Sequence, residues 1–442
     1  MITQAQNIEM THVEPGTPCG DFMRRYWQPA ALIDELPPER PVKAVRLLGE
    51  NLVLFKDEQG GYGLMQQHCP HRAADLAYGR LEDGGLRCTF HGWLFNAQGK
   101  CLEQPPEPIG SKYFQKVDLV SYPVVEKNGI LWTYMGPGRP PAFPAFDCFE
   151  APNDYVFAFK GFVDCNWLQV LEVGIDPSHA SFLHRVFEDE DPAEQYGKQF
   201  RDEAADSGIP ITRLLREYYR PEIIVETTDF GARLIALRQI DEARMHVRVT
   251  NQVFPHGIII PMSNEMTITQ WHVPIDTETT FWYAMFTSYG EPVNKPKMRE
   301  QRLKLYTLPD YKPLINKSNN YGFSVEEQKN ESYTGMGEDI NVHDQWAVES
   351  QGQIHDRTRE HLARSDVGII TYRKLLQKAI KDVEQGIPPL LIHDEATAKL
   401  ITEPGAVDSI GDPKDWQNVW QTRSEARRNV APWIKKAELN GR

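Results

Sequence analysis

The sequence predicts a two-part α+β protein: a small all-β domain first, then a larger domain in which helices flank an antiparallel sheet. Three observations lead there. Short β-rich runs separated by glycine turns occupy residues 28–135. Long strand candidates follow one another between 223 and 288 with no helical pattern between them. Apolar residues in the last third recur at helical spacing. Consecutive strands without intervening helices pair antiparallel, whereas parallel pairing needs a crossover.

Residues 1–26 read as a helical arm ending in Met23-Arg24-Arg25-Tyr26. The β-rich runs are 42–48, 51–56, 63–67, 85–88 and 129–135, punctuated by Gln59-Gly60-Gly61 and Asp83-Gly84-Gly85. Gly136-Pro137-Gly138-Arg139-Pro140-Pro141 breaks any regular element and sets the expected division at 1–140 and 141–442. Beyond it come a strand at 155–163, a helix at 166–174 and a polar stretch at 188–208. Strand candidates follow at 223–227, 233–240, 246–254, 266–273 and 280–288, the last two joined through Asp276-Thr277-Glu278. Ile369, Ile370, Leu376, Ile380 and Val383 mark a helix that Gly386 and Pro388 end.

Composition narrows the function classes. With 442 residues, 40% apolar and 25% charged, the chain has room for a large core of ordinary globular character. A net charge of −14 argues against nucleic acid and anionic membranes as partners, and an anionic substrate would need local arginines. No run approaches a membrane span, and the first residues lack a signal-peptide pattern, so a cytoplasmic location is expected. Of six cysteines, Cys19, Cys101, Cys148 and Cys165 have no paired spacing and are expected to be free thiols.

The other two cysteines carry the strongest motif. Cys69-Pro70-His71 and Cys88-Thr89-Phe90-His91 are separated by sixteen residues. Two thiolates and two imidazoles suit a [2Fe–2S] centre in which cysteines hold one iron and histidines the other. Cys2His2 also suits tetrahedral zinc. Zinc knuckles usually keep like ligands together, however, and here each loop carries one of each. The motif resembles that of Rieske proteins. Respiratory members carry a further cysteine in each loop, where this chain has Ala74 and Phe90, and a serine that donates to the cluster, where it has Trp93. The resemblance therefore implies a lower-potential centre of the oxygenase kind.

A second constellation lies at 172–184. Glu172, Asp176, His179 and His184 follow the spacing acid-x3-Asp-x2-His-x4-His. Two histidines near acids suggest a mononuclear metal, and two histidines plus one carboxylate leave positions open for oxygen chemistry. His179 and His184 would lie about 140° apart on a regular helix, so they converge only if the helix is irregular or ends between them.

This pattern resembles the iron site of Rieske non-haem iron aromatic-ring oxygenases, and total length and the N-terminal residues are similar to the phthalate dioxygenase group. The resemblance implies a Rieske [2Fe–2S] cluster on Cys69, His71, Cys88 and His91, and Fe(II) on His179, His184 and a downstream carboxylate. Asp344 in Asn341-Val342-His343-Asp344 is the expected third ligand, with Asp339 as its rival and His343 turned away. Asp176 is expected to bridge from an iron ligand to His71 or His91 of a neighbouring subunit, which implies a homotrimer or a hexamer of stacked trimers.

The implied activity is dihydroxylation of an aromatic carboxylate such as a phthalate, using O2 and a separate NAD(P)H-dependent reductase of flavin or ferredoxin type. This chain shows no dinucleotide fingerprint of its own. O-demethylation or monohydroxylation of a methoxyaryl or diaryl-ether acid is the alternative; an electron-transfer protein or a zinc-binding structural protein are the others. The strand candidate around Arg244-Met245-His246-Val247-Arg248-Val249-Thr250 puts Arg244, His246, Arg248 and Thr250 on one face. Arg244 and Arg248 are the expected substrate-carboxylate ligands, if that face lines the pocket rather than facing solvent.

Replacing His71 by Cys exchanges a neutral ligand for an anionic one. The variant is expected to keep a cluster and to lower its reduction potential in a redox titration. An unchanged potential and spectrum would remove His71 from the cluster.

Overall fold

The computed structural model describes residues 2–188, 209–262 and 265–434; the polar stretch noted above lies outside them apart from Glu188. The arm forms two helices, Gln4–Thr11 and Pro18–Met23, because Pro15-Gly16 interrupts it and Gly16 takes φ +82°. Each helix starts on a threonine cap, Thr3 and Thr17.

Three small antiparallel sheets follow. Trp27–Leu32 pairs with Ile130–Tyr134, which pairs with Val124–Lys127. Val42–Leu47, Glu50–Lys56, Tyr62–Gln66 and Ser121–Tyr122 form a second sheet. Arg80–Glu82, Gly85–Arg87, Leu94–Phe95 and Cys101–Glu103 form the third. Val53, Phe55, Leu76, Leu86 and Phe95 make an apolar cluster of their own behind Cys69 and Cys88. The two cysteine loops are thus carried on a unit with its own core.

An eight-stranded, all-antiparallel sheet organises the second part. In spatial order it runs Val156–Val163, Thr280–Ser288, Met266–Pro274, Gly257–Pro261, Met245–Val253, Gly231–Gln239 and Glu222–Thr227. Val407–Gly411 joins it against Met245–Val253. The turn at Asp276 closes as expected, with its carboxylate accepting from Glu278 N at 3.0 Å and Thr279 N at 2.9 Å. Val367–Glu384 packs Tyr372, Leu376, Ile380 and Val383 inwards, one apolar stripe at helical spacing.

Three elements depart from the sequence reading. Gly257–Pro261 is a strand between prolines, too short to register as a periodic run. Ile211–Glu217 is a helix. Val407–Gly411 is a strand inside the third read as helical; its pairing with a distant strand, not local pattern, makes it one.

The helix Trp167–Gly174 is almost wholly buried, including its two polar side chains Gln169 and Glu172. Its cap Asn166 accepts from Leu168 N and donates to the carbonyls of Thr11 (3.0 Å) and Thr277 (2.7 Å). Glu172, on the same helix, accepts from Arg357 Nη2 at 2.9 Å and from Arg373. Arg373 also pairs with Glu360. Burial works against ionised Glu172, but the two guanidiniums outweigh it and hold its pKa below the ordinary carboxylate value. Glu172, part of the acidic spacing read from the sequence, is therefore committed to a structural ion cluster.

Removing Glu172 leaves two buried guanidiniums short of charge. Glu172→Ala should destabilise the fold by about 3–5 kcal/mol in urea unfolding. A carboxylate with a lowered folded pKa contributes stability that is complete above its unfolded value, about 4.3, and is lost as pH falls through the folded one. The acid limb of the stability profile should therefore be shallower in the variant than in the parent.

Candidate active site and redox centre

The two cysteine loops are tight turns. Cys69 N donates to Ala74 O at 2.9 Å and Cys88 N to Trp93 O at 2.8 Å, closing each loop on itself. Closure demands a left-handed residue in each, Ala73 at φ +57° and Gly92 at φ +75°. The cysteines are buried, while His71 is exposed and His91 half-buried. The imidazoles of His71 and His91 meet edge to face with centroids 4.4 Å apart at 69°, and Trp93 stacks on His71 at 4.6 Å and 7°.

No three of these four ligand atoms converge within 4.8 Å among the described residues. A single tetrahedral zinc would need its donors about 3.5 Å apart. Thiols paired on one side and imidazoles on the other instead suit two metal ions side by side. Burial pushes the Cys69 thiol up to about 12, and a coordinated metal would deprotonate it.

The second site is assembled by a helix that ends where the spacing requires. Ala180–Leu183 is a single turn, with His179 just before it in helical geometry and His184 just after it, where the chain leaves that geometry. The two rings therefore meet, centroids 5.0 Å apart at 87°. The facing wall is the helix Ile340–Glu349, capped by Asp339. Asp344 Oδ1 lies 3.2 Å from His184 Nε2 and 3.7 Å from His179 Nε2. These three residues offer ligand atoms that all lie within 4.8 Å of one another. The rival Asp339 also lines the cavity but spends its carboxylate on Asn341, at 3.0 Å to the backbone N–H and 2.7 Å to the amide.

The proton inventory fits a cation. His179 Nδ1 contacts the carbonyl of Asp176, which only accepts, so the proton is on Nδ1 and Nε2 is bare. His343 Nε2 likewise donates to Gly337 O at 2.9 Å. Its Nδ1 then accepts from His184 Nδ1 at 3.3 Å, leaving His184 Nε2 bare as well. Burial lowers the His184 pKa and favours the neutral ring. Two imidazole lone pairs and a carboxylate oxygen thus meet with no proton between them, the donor set of a facial two-histidine-one-carboxylate metal.

His343 is a correction to the sequence reading. It is 1% exposed and points at His184, stacked at 5.6 Å, because its helix approaches the histidine turn from the side that carries both 343 and 344. Asp176 also differs from expectation: its backbone carbonyl, not its carboxylate, holds His179, while Oδ1 accepts from Ser178 N at 2.7 Å.

A cavity of about 300 Å³ opens on the three ligands. Val170, Val173, Leu215, Met262, Ile268 and Trp282 give it apolar walls. One sheet face supplies the polar part. Arg248 and Thr250 line it as the alternation requires, and His246 is buried beneath. Arg244 does not line it. Arg244 lies one residue before the strand Met245–Val253, half exposed, and pairs with Asp241 at 2.7 Å, so its expected substrate role is withdrawn. Two polar residues were missed from sequence. Arg238 follows the apolar run Leu234-Ile235-Ala236-Leu237 in the strand Gly231–Gln239, a signal that was there to read; Asp408 belongs to the unrecognised strand.

Comparison with known proteins shows the family. Residues 26–122 match the Rieske [2Fe-2S] domain family and 133–432 the family described as LigXa C-terminal domain like. The phthalate 4,5-dioxygenase oxygenase subunit of Pseudomonas putida is 33% identical over 443 residues, 95% of this chain and 94% of that one. The 5,5'-dehydrodivanillate O-demethylase oxygenase subunit of Sphingobium sp. is 32% identical, covering 91% of this chain and 87% of that one. Dicamba monooxygenase bound to dicamba superposes with a TM-score of 0.55 at 18% identity, over 83% of this chain and 99% of that one, and shares the fold.

Asp344→Ala should lose one iron per chain by metal analysis while the visible cluster spectrum persists. Asp339→Ala should keep that iron and cost about 1 kcal/mol as a lost helix cap. The reverse pattern would make Asp339 the ligand.

Proposed function

This chain belongs to the Rieske non-haem iron aromatic-ring oxygenases, within the phthalate dioxygenase-like group, and we propose that it dihydroxylates an aromatic carboxylate such as a phthalate, with electrons from a separate NAD(P)H-dependent reductase. It is an oxidoreductase that incorporates O2, with a [2Fe–2S] cluster and a mononuclear iron as cofactors. We assign the cluster to Cys69, His71, Cys88 and His91 in 1–140, and the iron to His179, His184 and Asp344 in 141–442. The observation that carries the reading is the convergence of those last three residues at the wall of an apolar cavity.

When bound, the cluster supplies single electrons and the iron supplies O2 activation. The residues of this chain do the rest. The Asp176 carbonyl and His343 fix the tautomers of His179 and His184, so that both present Nε2. Val170, Val173 and Trp282 keep bulk water from the reacting ring. The exposed edge of His71 suits transfer across a subunit contact, consistent with a trimer or stacked trimers. Asp176 lines the cavity beside His179 and is the residue we assign to accept from a neighbour's cluster histidine.

O-demethylation remains the second reading, because one of the two relatives described is named an O-demethylase. Product analysis with a generic reductase, O2 and a panel of aromatic and methoxyaryl acids separates the two: a cis-diol supports dihydroxylation, and released formaldehyde supports demethylation. Iron content separates both from electron transfer alone, three irons per chain against two.

Asp176→Asn keeps shape and removes charge. Both metal sites should stay occupied, while oxidation of the reduced cluster by substrate and O2, followed by stopped-flow absorbance, should slow by at least about tenfold. Oxidation at the parent rate would remove Asp176 from the electron path.

A further inference from the structure

Arg238 is a buried cation in the wall of the cavity. It is 1% exposed, and among the described residues its guanidinium donates from Nη2 to Pro177 O at 3.1 Å. The N–H groups of Nε and Nη1 are buried with no partner among the described residues. Buried guanidinium groups are normally paired, since an uncompensated charge costs several kcal/mol. Arg238 lines the cavity that also contains His179, His184 and Asp344.

The nearby carboxylate is already engaged. Asp408 accepts from His246 Nε2 at 2.8 Å with Oδ1 and from Arg248 Nη1 with Oδ2. These two partners outweigh burial and hold its pKa well below the carboxylate range. Even with His246 neutral, Arg238, Arg248 and Asp408 together carry one net positive charge. Burial and the neighbouring Arg248 lower the Arg238 pKa to about 10, which leaves it cationic at neutral pH. The strand register explains the grouping: Arg238 lies opposite His246, and Arg248 opposite Asp408, all on one face of the sheet.

We propose that Arg238 receives the carboxylate of the substrate, making it the residue that selects acids over neutral aromatics. The proposal rests on the aromatic-acid reading above and names the group that recognises the acid. Its Nη2 contact with Pro177 ties the guanidinium to the segment between Asp176 and His179. A carboxylate held there places the attached ring among Val173, Ile260, Ile268 and Trp282, facing the two histidines. Arg248, half-committed to Asp408, is the secondary contact.

The test is anaerobic calorimetry on the metal-loaded protein with benzoate, phthalate and the uncharged methyl benzoate. The parent should bind the acids more tightly than the ester. Arg238→Met should weaken acid binding by at least about tenfold, as expected for a charge-assisted hydrogen bond, and leave ester binding within about threefold. It should also raise the melting temperature of the ligand-free protein, because an uncompensated charge is replaced by an apolar chain; an arginine serving only the fold would lower it. Arg238→Lys keeps the charge and should bind acids at an intermediate level, which preserves the test if the methionine variant misfolds. Arg244→Gln should bind as the parent does. Unchanged acid affinity in Arg238→Met, or equal loss for acid and ester, overturns the proposal and leaves the aromatic-acid reading standing. A parent protein that prefers methyl benzoate overturns both.

Discussion

A single buried amide ties together the two halves of the candidate metal site. Gln169 Nε2 donates to Val348 O and Gly352 O, each at 2.9 Å, and Oε1 accepts from His355 N at 2.8 Å. Val348 closes the helix that carries Asp344, whose last carbonyls have no partner within the helix. Gln169 sits in the helix that leads into His179 and His184. Asn166 and Glu172 on the same helix fix its two ends, through Thr11, Thr277, Arg357 and Arg373. With Asn166, Gln169 and Glu172 each held by a different segment, the histidine turn and the carboxylate helix meet in one arrangement.

Inside that frame the site is controlled by which nitrogen carries a proton. Two backbone carbonyls, those of Asp176 and Gly337, decide it, because a carbonyl can only accept. Their effect is relayed through ring nitrogens until bare Nε2 atoms face Asp344. Burial assists by disfavouring the imidazolium form of His184. The cluster loops use the opposite distribution: buried sulfur and outward imidazole, so the side suited to electron exchange is the one that meets solvent or a neighbour.

The cavity combines apolar walls with an unbalanced charge. Its sheet face would be close to neutral if Asp408 faced a single arginine. Two arginines against one carboxylate leave a deficit that costs the empty protein stability and favours an anionic ligand, a trade between stability and recognition common at binding sites. The net charge of −14 disfavours anions in general, so recognition of an acid rests on this local excess.

The α+β class, the strands flanking Asp276 and both ligand motifs were legible in the sequence, because each rests on short-range spacing: two cysteine–histidine pairs, an acid and two histidines within nine residues, alternation along strands. Asp344 was legible only through family resemblance, since 160 positions separate it from His184. What spacing does not encode is which distant segment arrives. Val407–Gly411 is a strand because Met245–Val253 offers it an edge, and it brings Asp408 to Arg248. His343 faces the site because of the angle at which its helix docks. Arg244 misses the cavity because it lies just outside the strand that Arg248 shares, a distinction of a few residues in register. Local chemistry determined the ligand types; long-range pairing and helix docking decided their partners, because hydrogen bonds and charge contacts are made between segments that sequence distance does not relate.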